Sequence, residues 1–366
     1  MKKILLITLS LCAFLCADEF VESSSTFGGY GEMHYDMEGN DGDGKLDFHR
    51  FIIYYKHQFD GKWAMMSEVE IEHNMVGSLD VLGYKGGYVA LEQAFLNYWN
   101  GDWGFKGGVL LVPAGITNEY HEPPTFMSVE RPEYNKYIIP STWFDNGFSF
   151  YGSRGDINWN YTIVGDLNGN DIGEGIRNAR MKGFGSSTSS WTKTVQASWM
   201  GMEGLKVGGS LTMNDAPADA VADSGDCGSG TDDCGNAITR DAVGVNLFEV
   251  NATYTKNNIY ARLEYGLIDY TDNLHQTAMT TGLTEVSSSS GYYLDLGYNV
   301  ADMMDCDGDL YVWTRTSSYS KNDDGSAKDI SLFGVTFKPT SNVAIKFETG
   351  EAGDSDVMRM GLGYMF

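Results

Sequence analysis

Positive charge is scarce in this chain: 25 Lys and Arg stand against 50 Asp and Glu in 366 residues. A surface so poor in cations excludes nucleic acid as a partner, because phosphate contacts need basic groups. Beyond the first residues there is no run of about 18 apolar residues, which excludes a helical membrane span. That absence leaves a spanning barrel open, since its strands alternate between lipid and lumen and average out polar. Proline is equally rare, with 7 residues against 45 Gly, 22 Tyr, 18 Phe and 8 Trp. This balance points to many strands, aromatic girdles at two interfaces and few helices.

Cysteine is also sparse, and its placement is uneven. Cys12 and Cys16 lie in a leader: Met1-Lys2-Lys3, an apolar stretch over 4–14, then Leu15-Cys16-Ala17 before Asp18. A charged start, a short apolar middle and a small residue ahead of polar sequence are the parts of a secretory signal. The expected division is a signal peptide over 1–17 and one barrel domain over 18–366. Bulky Leu15 disfavours a lipid anchor at Cys16. Cleavage would remove Lys2 and Lys3 and no acid, moving the formal charge from −25 to −27. Of the remaining cysteines, Cys227 and Cys234 share one polar loop and are candidates for a disulfide in an exported chain. Without a nearby His they make no zinc ligand set, and Cys306 stands alone.

What the chain does have is a rhythm of alternating segments. Strands are expected over 26–36, 46–59, 62–73, 88–100, 104–115, 143–153, 156–167, 193–201, 205–214, 244–255, 258–270, 291–300, 308–320, 329–339, 342–351 and 356–366, 16 in all. The even number returns both ends to one side. Short connections at 60–61, 155, 202–204, 256–257 and 340–341 fall on that side, and the long ones at 113–142, 168–192, 215–243 and 271–290 on the other. The fold class is therefore all-β, a transmembrane antiparallel barrel with short periplasmic turns and long extracellular loops.

Alternation assigns faces. Met358, Met360, Leu362, Tyr364 and Phe366 share one face, opposite Arg359, Gly361 and Gly363. Ile259, Ala261, Leu263, Tyr265 and Leu267 alternate with Tyr260, Arg262 and Glu264, and Val343, Ile345 and Phe347 with Lys346 and Glu348. The apolar sets should face lipid. Arg50, Arg262, Arg315, Lys346 and Arg359 then line the lumen, and closure makes Arg50, Arg315, Lys346 and Arg359 a basic wall at mid-height. Placing Arg315 inward turns Tyr311 and Trp313 inward too. Glu68, Glu70 and Glu72 share the inward face of the third strand.

The connection over 113–142 carries Glu119, Glu122, Glu130, Arg131, Glu133 and Lys136. Its place after the fifth strand resembles the plan of general porins, in which that loop folds inward and narrows the lumen. A basic wall opposite an acidic loop would set a transverse field favouring polar solutes.

Phe48-His49-Arg50-Phe51, Ala94-Phe95-Leu96-Asn97-Tyr98, Gly107-Gly108-Val109 leading to Pro113-Ala114-Gly115, the run Thr125-Phe126-Met127-Ser128-Val129-Glu130-Arg131-Pro132, and Asp145-Asn146-Gly147-Phe148 carry a further resemblance. Over roughly 46–152 the chain resembles the phosphate-selective porin O and P family. The resemblance implies a trimeric 16-stranded barrel of a Gram-negative outer membrane with anion-selective conduction. Family members use a ladder of arginines, whereas the total here is acidic.

The expectation is passive diffusion of small polar solutes or ions, anions among them, through a pore narrowed by 113–142. The alternative is a closed barrel that displays its loops to a receptor or matrix ligand. Implied partners are outer-membrane lipid, lipopolysaccharide, the solutes and two further copies of the chain. No cofactor is implied. Catalysis is not expected: His121 between Glu119 and Glu122, and His34 between Glu32 and Asp36, come without a nucleophile at interpretable spacing. Asp41-Gly-Asp43 and Asp305-Cys-Asp307-Gly-Asp309 read as turns rather than calcium loops, because neither completes the 12-residue pattern.

Overall fold

The computed structural model describes residues 23–38, 44–74, 76–79, 84–172, 175–218, 242–277, 283–323 and 325–366. The leader, the Cys227 and Cys234 pair and the Asp41 and Asp43 turn lie outside the described residues. Sixteen strands close into one antiparallel barrel. They are β1 Ser24–Glu38, β2 Lys45–Gln58, β3 Trp63–Glu72, β4 Val89–Trp99, β5 Trp103–Leu111, β6 Phe144–Arg154, β7 Ile157–Val164 and β8 Thr192–Met202. The second half comprises β9 Leu205–Pro217, β10 Ala242–Lys256, β11 Ile259–Thr277, β12 Leu283–Asn299, β13 Asp309–Ser320, β14 Lys328–Thr340, β15 Val343–Ala352 and β16 Ser355–Met365.

Each strand pairs with its neighbours in the chain, and β1 pairs with β16 to complete the ring. The seam is tied at its end by Gly29 N–H to Phe366 O at 3.0 Å and Phe366 N–H to Gly29 O at 2.9 Å. Closure leaves no edge strand, which is what a sheet needs in lipid, where no water can satisfy an open edge.

All sixteen expected strands are present; most bounds agree to within two residues, the seventh ends three residues early at Val164 and the ninth three late at Pro217, and the fifth, eleventh and twelfth depart furthest. The fifth stops at Leu111 instead of running to 115. Val112 still bonds Trp143, but Gly115, at φ 78°, then turns the chain inward with a backbone conformation L side chains rarely adopt. The eleventh and twelfth run on to Thr277 and start at Leu283, beyond the expected 270 and 291. Sequence there is mostly polar, so the two-residue period fades while the backbone ladder continues.

The outer face is apolar around the ring. Leu91 and Leu96 on β4, Phe148 and Phe150 on β6, Trp159 on β7, Val195 on β8, Leu211 on β9, Phe248 on β10, Leu263 on β11, Leu296 on β12, Phe333 on β14, Ile345 on β15, and Met360 and Leu362 on β16 are exposed. At the short-turn end Trp63, Tyr98 and Trp103 pack as part of an aromatic girdle, with ring centroids 5.0 and 5.7 Å apart.

The inside is not uniformly polar. Val112, Met127, Tyr134, Ile138, Ile139, Leu167, Ile172 and Ile176, from the connections after β5 and β7, pack on Val245, Leu247, Ile268 and Tyr293 of β10–β12. An apolar core therefore fills one side of the barrel, and burial of these side chains draws both connections inward.

If the outer face contacts lipid, Leu263→Lys should destabilise the folded barrel by about 2–4 kcal/mol near the middle of the bilayer. Urea unfolding in lipid vesicles measures this; an unchanged midpoint would remove Leu263 from the lipid face.

Candidate functional site

A loop inside a barrel must find partners for its backbone polar groups, because strand pairing is no longer available to it. The inner wall supplies them. Glu264 accepts from Ile116 N–H at 2.6 Å and from Asn135 Nδ2 at 2.8 Å. Glu348 accepts from Val129 N–H at 2.7 Å. The exposed carbonyls are met by donors: Lys338 on Pro124 O at 2.8 Å, Arg262 on Thr125 O at 3.2 Å, Thr336 on Met127 O at 2.5 Å and Lys346 on Ser128 O at 2.7 Å. The loop also needs a smooth wall at β16. A Cβ at Gly361 would lie 2.9 Å from Val129, and one at Gly363 would collide with Pro123.

Arg50, Arg262, Arg315, Lys346 and Arg359 all point inward and are buried or nearly so. The expected basic wall is corrected, however, to a chequered one. Arg50 pairs with Glu32 at 2.6 Å and Glu70 at 3.3 Å. Arg315 makes two bonds to Asp295, at 2.6 and 2.7 Å. Arg359 pairs with Asp36 at 3.1 Å and Glu348 at 3.2 Å. Sequence reasoning missed Asp295 and the roles of Glu32, Asp36 and Glu348, yet the signal was there. Glu32 stands directly opposite Arg50, Asp295 opposite Arg315, and both Asp36 and Glu348 opposite Arg359 across adjacent strands.

The loop residues reach outward to the wall. Glu119 accepts from Gln196 at 2.6 Å, Glu122 from Tyr54 at 3.4 Å, and Glu133 from Tyr319 at 2.6 Å and Lys328 at 2.9 Å. Glu130 meets His34 at 2.6 Å. Arg131 donates to His121 O at 3.3 Å, and Lys136 lies over the Tyr137 ring. Of the three strand carboxylates, Glu68 and Glu70 are buried, with Glu68 accepting from Gln93 at 2.5 Å, while Glu72 is partly exposed.

The loop divides the interior. Towards the long-loop end lies a cavity of about 500 Å³ bounded by the arc from β13 through β16 to β3 and by the loop itself. Its charged lining is Arg50, Arg131, Lys136, Arg177, Lys182, Arg315 and Arg359 with Asp36, Glu72, Glu130 and Glu133. Towards the short turns lie cavities of about 380 and 310 Å³, both bordered by Glu119 and Tyr120. The second inward connection, after β7, went unrecognised in sequence as a source of lining. It brings Arg177 and Lys182 to the outer cavity and anchors itself through Arg180, which donates to Ser141 O at 2.7 Å and Thr142 O at 3.0 Å. The cluster Arg177-Asn-Ala-Arg180-Met-Lys182 in an otherwise acidic chain was its visible mark.

Burial opposes ionisation of Glu130, but the His34 hydrogen bond and charge outweigh it and hold the carboxyl well below its ordinary range. A carboxyl depressed in the folded state stabilises loop docking fully above its free value of 4.5 and loses that contribution as pH falls towards its depressed value. Acidification below 4.5 should therefore raise loop motion, read as excess current noise, and Glu130→Gln should show that noise already at neutral pH. Noise that is equal in both proteins at every pH would discard the tether.

No protein-family model matches the chain. It is 29% identical over 377 residues to an uncharacterized protein of Aquifex aeolicus (strain VF5), covering 94% of this chain and 81% of that one. Among solved structures it is similar to Salmonella typhi OmpF in complex with daunomycin, with TM-score 0.60, 13% identity, and 93% and 97% of the two chains covered. It is also similar to the trimer form of OmpT, an outer membrane protein of Vibrio cholerae, with TM-score 0.59, 13% identity and 94% and 100% coverage. The anion-selective porin from Comamonas acidovorans gives 0.58, 12%, and 94% and 100%. The fold of this chain is that of the outer-membrane porins.

Proposed function

We propose that the protein is a porin of a Gram-negative outer membrane, a homotrimer that passes small polar solutes by passive diffusion and prefers anions at its outer mouth. The observation that carries the anion preference is which charges at the outer cavity are compensated. Asp36, Glu130 and Glu133 are each in an ion pair, with Arg359, His34 and Lys328. Among the described residues Arg131, Lys136, Arg177 and Lys182 have no carboxylate within salt-bridge distance, against Glu72 alone on the acidic side. Uncompensated cations around a narrow mouth concentrate anions there. The chain's acidic total does not oppose this, because charge that is paired or far from the mouth is screened over about 10 Å.

The wall pairs at mid-height contribute little net field, so solute size is set by the docked loop and charge preference by the rim. The trimer rests on the habit of barrels of this fold, and chemical cross-linking in mild detergent tests it.

In a planar bilayer under a potassium chloride gradient, stepwise conductance with a reversal potential on the anion side is expected. Arg177→Glu with Lys182→Glu should move that potential towards cations while leaving the step size within about twofold, since neither residue belongs to the loop after β5. An unmoved potential would refute the rim mechanism, and a barrel that never conducts would favour the display reading. Replacing chloride by phosphate in the same cell measures the phosphate preference that the sequence resemblance implies.

A further inference from the structure

His121, Glu68 and Glu92 converge where the loop after β5 touches β3 and β4. All three are buried, at 3%, 0% and 0% exposure. Their donor atoms lie within 4.8 Å of one another. His121 Nε2 stands 3.6 Å from Glu68 Oε1 and 3.7 Å from Glu92 Oε2. Those separations are too long for hydrogen bonds. They lie at and about 0.1 Å above the upper end of a tetrahedral edge, since ligand bonds of about 2.0–2.2 Å hold donors about 3.3–3.6 Å apart, so a small side-chain adjustment would close the set on an ion.

The atoms are also unspent. His121 Nε2, Glu68 Oε1 and both carboxylate oxygens of Glu92 are buried with no hydrogen-bond partner. A group left in that state costs the full desolvation of its polar atoms, and for a carboxylate this is large. Arg50 does not resolve it, because that guanidinium is engaged by Glu32 and Glu70.

The imidazole is set for a ligand. Its Nδ1 faces Asn118 O at 3.1 Å, and a carbonyl can only accept, so Nδ1 carries the proton. In the neutral ring Nε2 then presents a lone pair towards two carboxylates. Asn118 is itself fixed, donating to Val112 O at 2.7 Å and accepting from Trp143 N–H at 2.7 Å. A histidine whose second nitrogen is held by a backbone carbonyl is the usual outer support of a metal ligand.

We propose that Glu68, Glu92 and His121 bind a divalent first-row transition-metal ion that staples the inserted loop to the barrel wall. One imidazole nitrogen with two carboxylate oxygens suits zinc, manganese or iron(II) better than calcium or magnesium, which take oxygen ligands. Glu264 anchors the loop to β11, so an ion on β3 and β4 would add a tether on the side where Glu130 meets His34 and Glu122 meets Tyr54. This inference does not depend on which solutes pass.

A second group, Asp47, His49 and His73, could also take metal and is more exposed, so the test removes it. Detergent-purified protein bearing His73→Ala is stripped with EDTA, equilibrated with zinc chloride, desalted and analysed for metal. About one zinc per chain should remain, and Glu92→Gln or His121→Gln in that background should weaken retention about tenfold or more. His121→Gln keeps a polar group at the site and guards against loss of folding, which the heat-modifiable migration of the barrel reports. Zinc retention equal in all three folded proteins, or calcium retained as well as zinc, would overturn the proposal. Metal content is read without any conduction, so failure here is distinguishable from failure of the pore reading.

Discussion

The interior of this barrel is governed by the need to satisfy the backbone of a loop that has left the sheet. Thirty or so residues after β5 run inside a ring whose own N–H and C=O groups are already paired strand to strand. The loop therefore has to be met by side chains, and the wall provides both signs. Carboxylates at Glu264 and Glu348 take N–H groups, while Lys338, Arg262 and Lys346 take the carbonyls of Pro124, Thr125 and Ser128. One wall charge that serves the loop is compensated in turn. Glu348 binds Arg359, and Arg359 in turn binds Asp36 on the far side of the seam. Loop position and wall electrostatics are thus a single network, and neither can change without the other.

The same need explains why the interior has a dry side and a wet side. Apolar residues of two connections gather on β10–β12, and the space left opposite them, along β13–β16 and β1–β3, carries the polar cavity. A ring of this size would otherwise be filled with water. Half-filling it with packed side chains gives the loop a rigid footing, so its water-facing edge keeps a fixed outline.

Most of the frame was legible in sequence, because strands crossing lipid must alternate and must be joined by turns of contrasting length. Leu263 and Arg262, or Ile345 and Lys346, can be assigned to opposite faces from the order of residues alone. Bounds failed where that constraint lapses: at Gly115, where a backbone angle turns the chain inward, and along the polar hairpin of β11 and β12, which outruns the apolar band. Reading cations without their cross-strand partners was the larger error. Arg315 taken alone is a pore charge; opposite Asp295 it is half of a neutral pair. Register, not composition, decides that, and register was deducible from the turns. The core formed by the connection after β7 was not legible, since Ile172 and Ile176 show no period against a strand wall that lies far away in sequence.

Net field in the lumen comes from charges that no carboxylate neutralises. Arg50, Arg315 and Arg359 are neutralised by carboxylates, whereas Lys346 and Arg262 bond neutral loop carbonyls and keep their charge, buried under the loop. Arg177 and Lys182 enter on the connection after β7, which Arg180 ties to the inserted loop at Ser141 and Thr142, and they stand at the mouth, where water and salt have access. Selectivity built there is screened, because ions at about 0.1 M reduce such fields over about 10 Å. A barrel that spends its mid-height charges on holding a loop therefore trades a strong fixed filter for a rim whose preference weakens as salt rises, while the size limit, set by packed side chains and hydrogen bonds, does not.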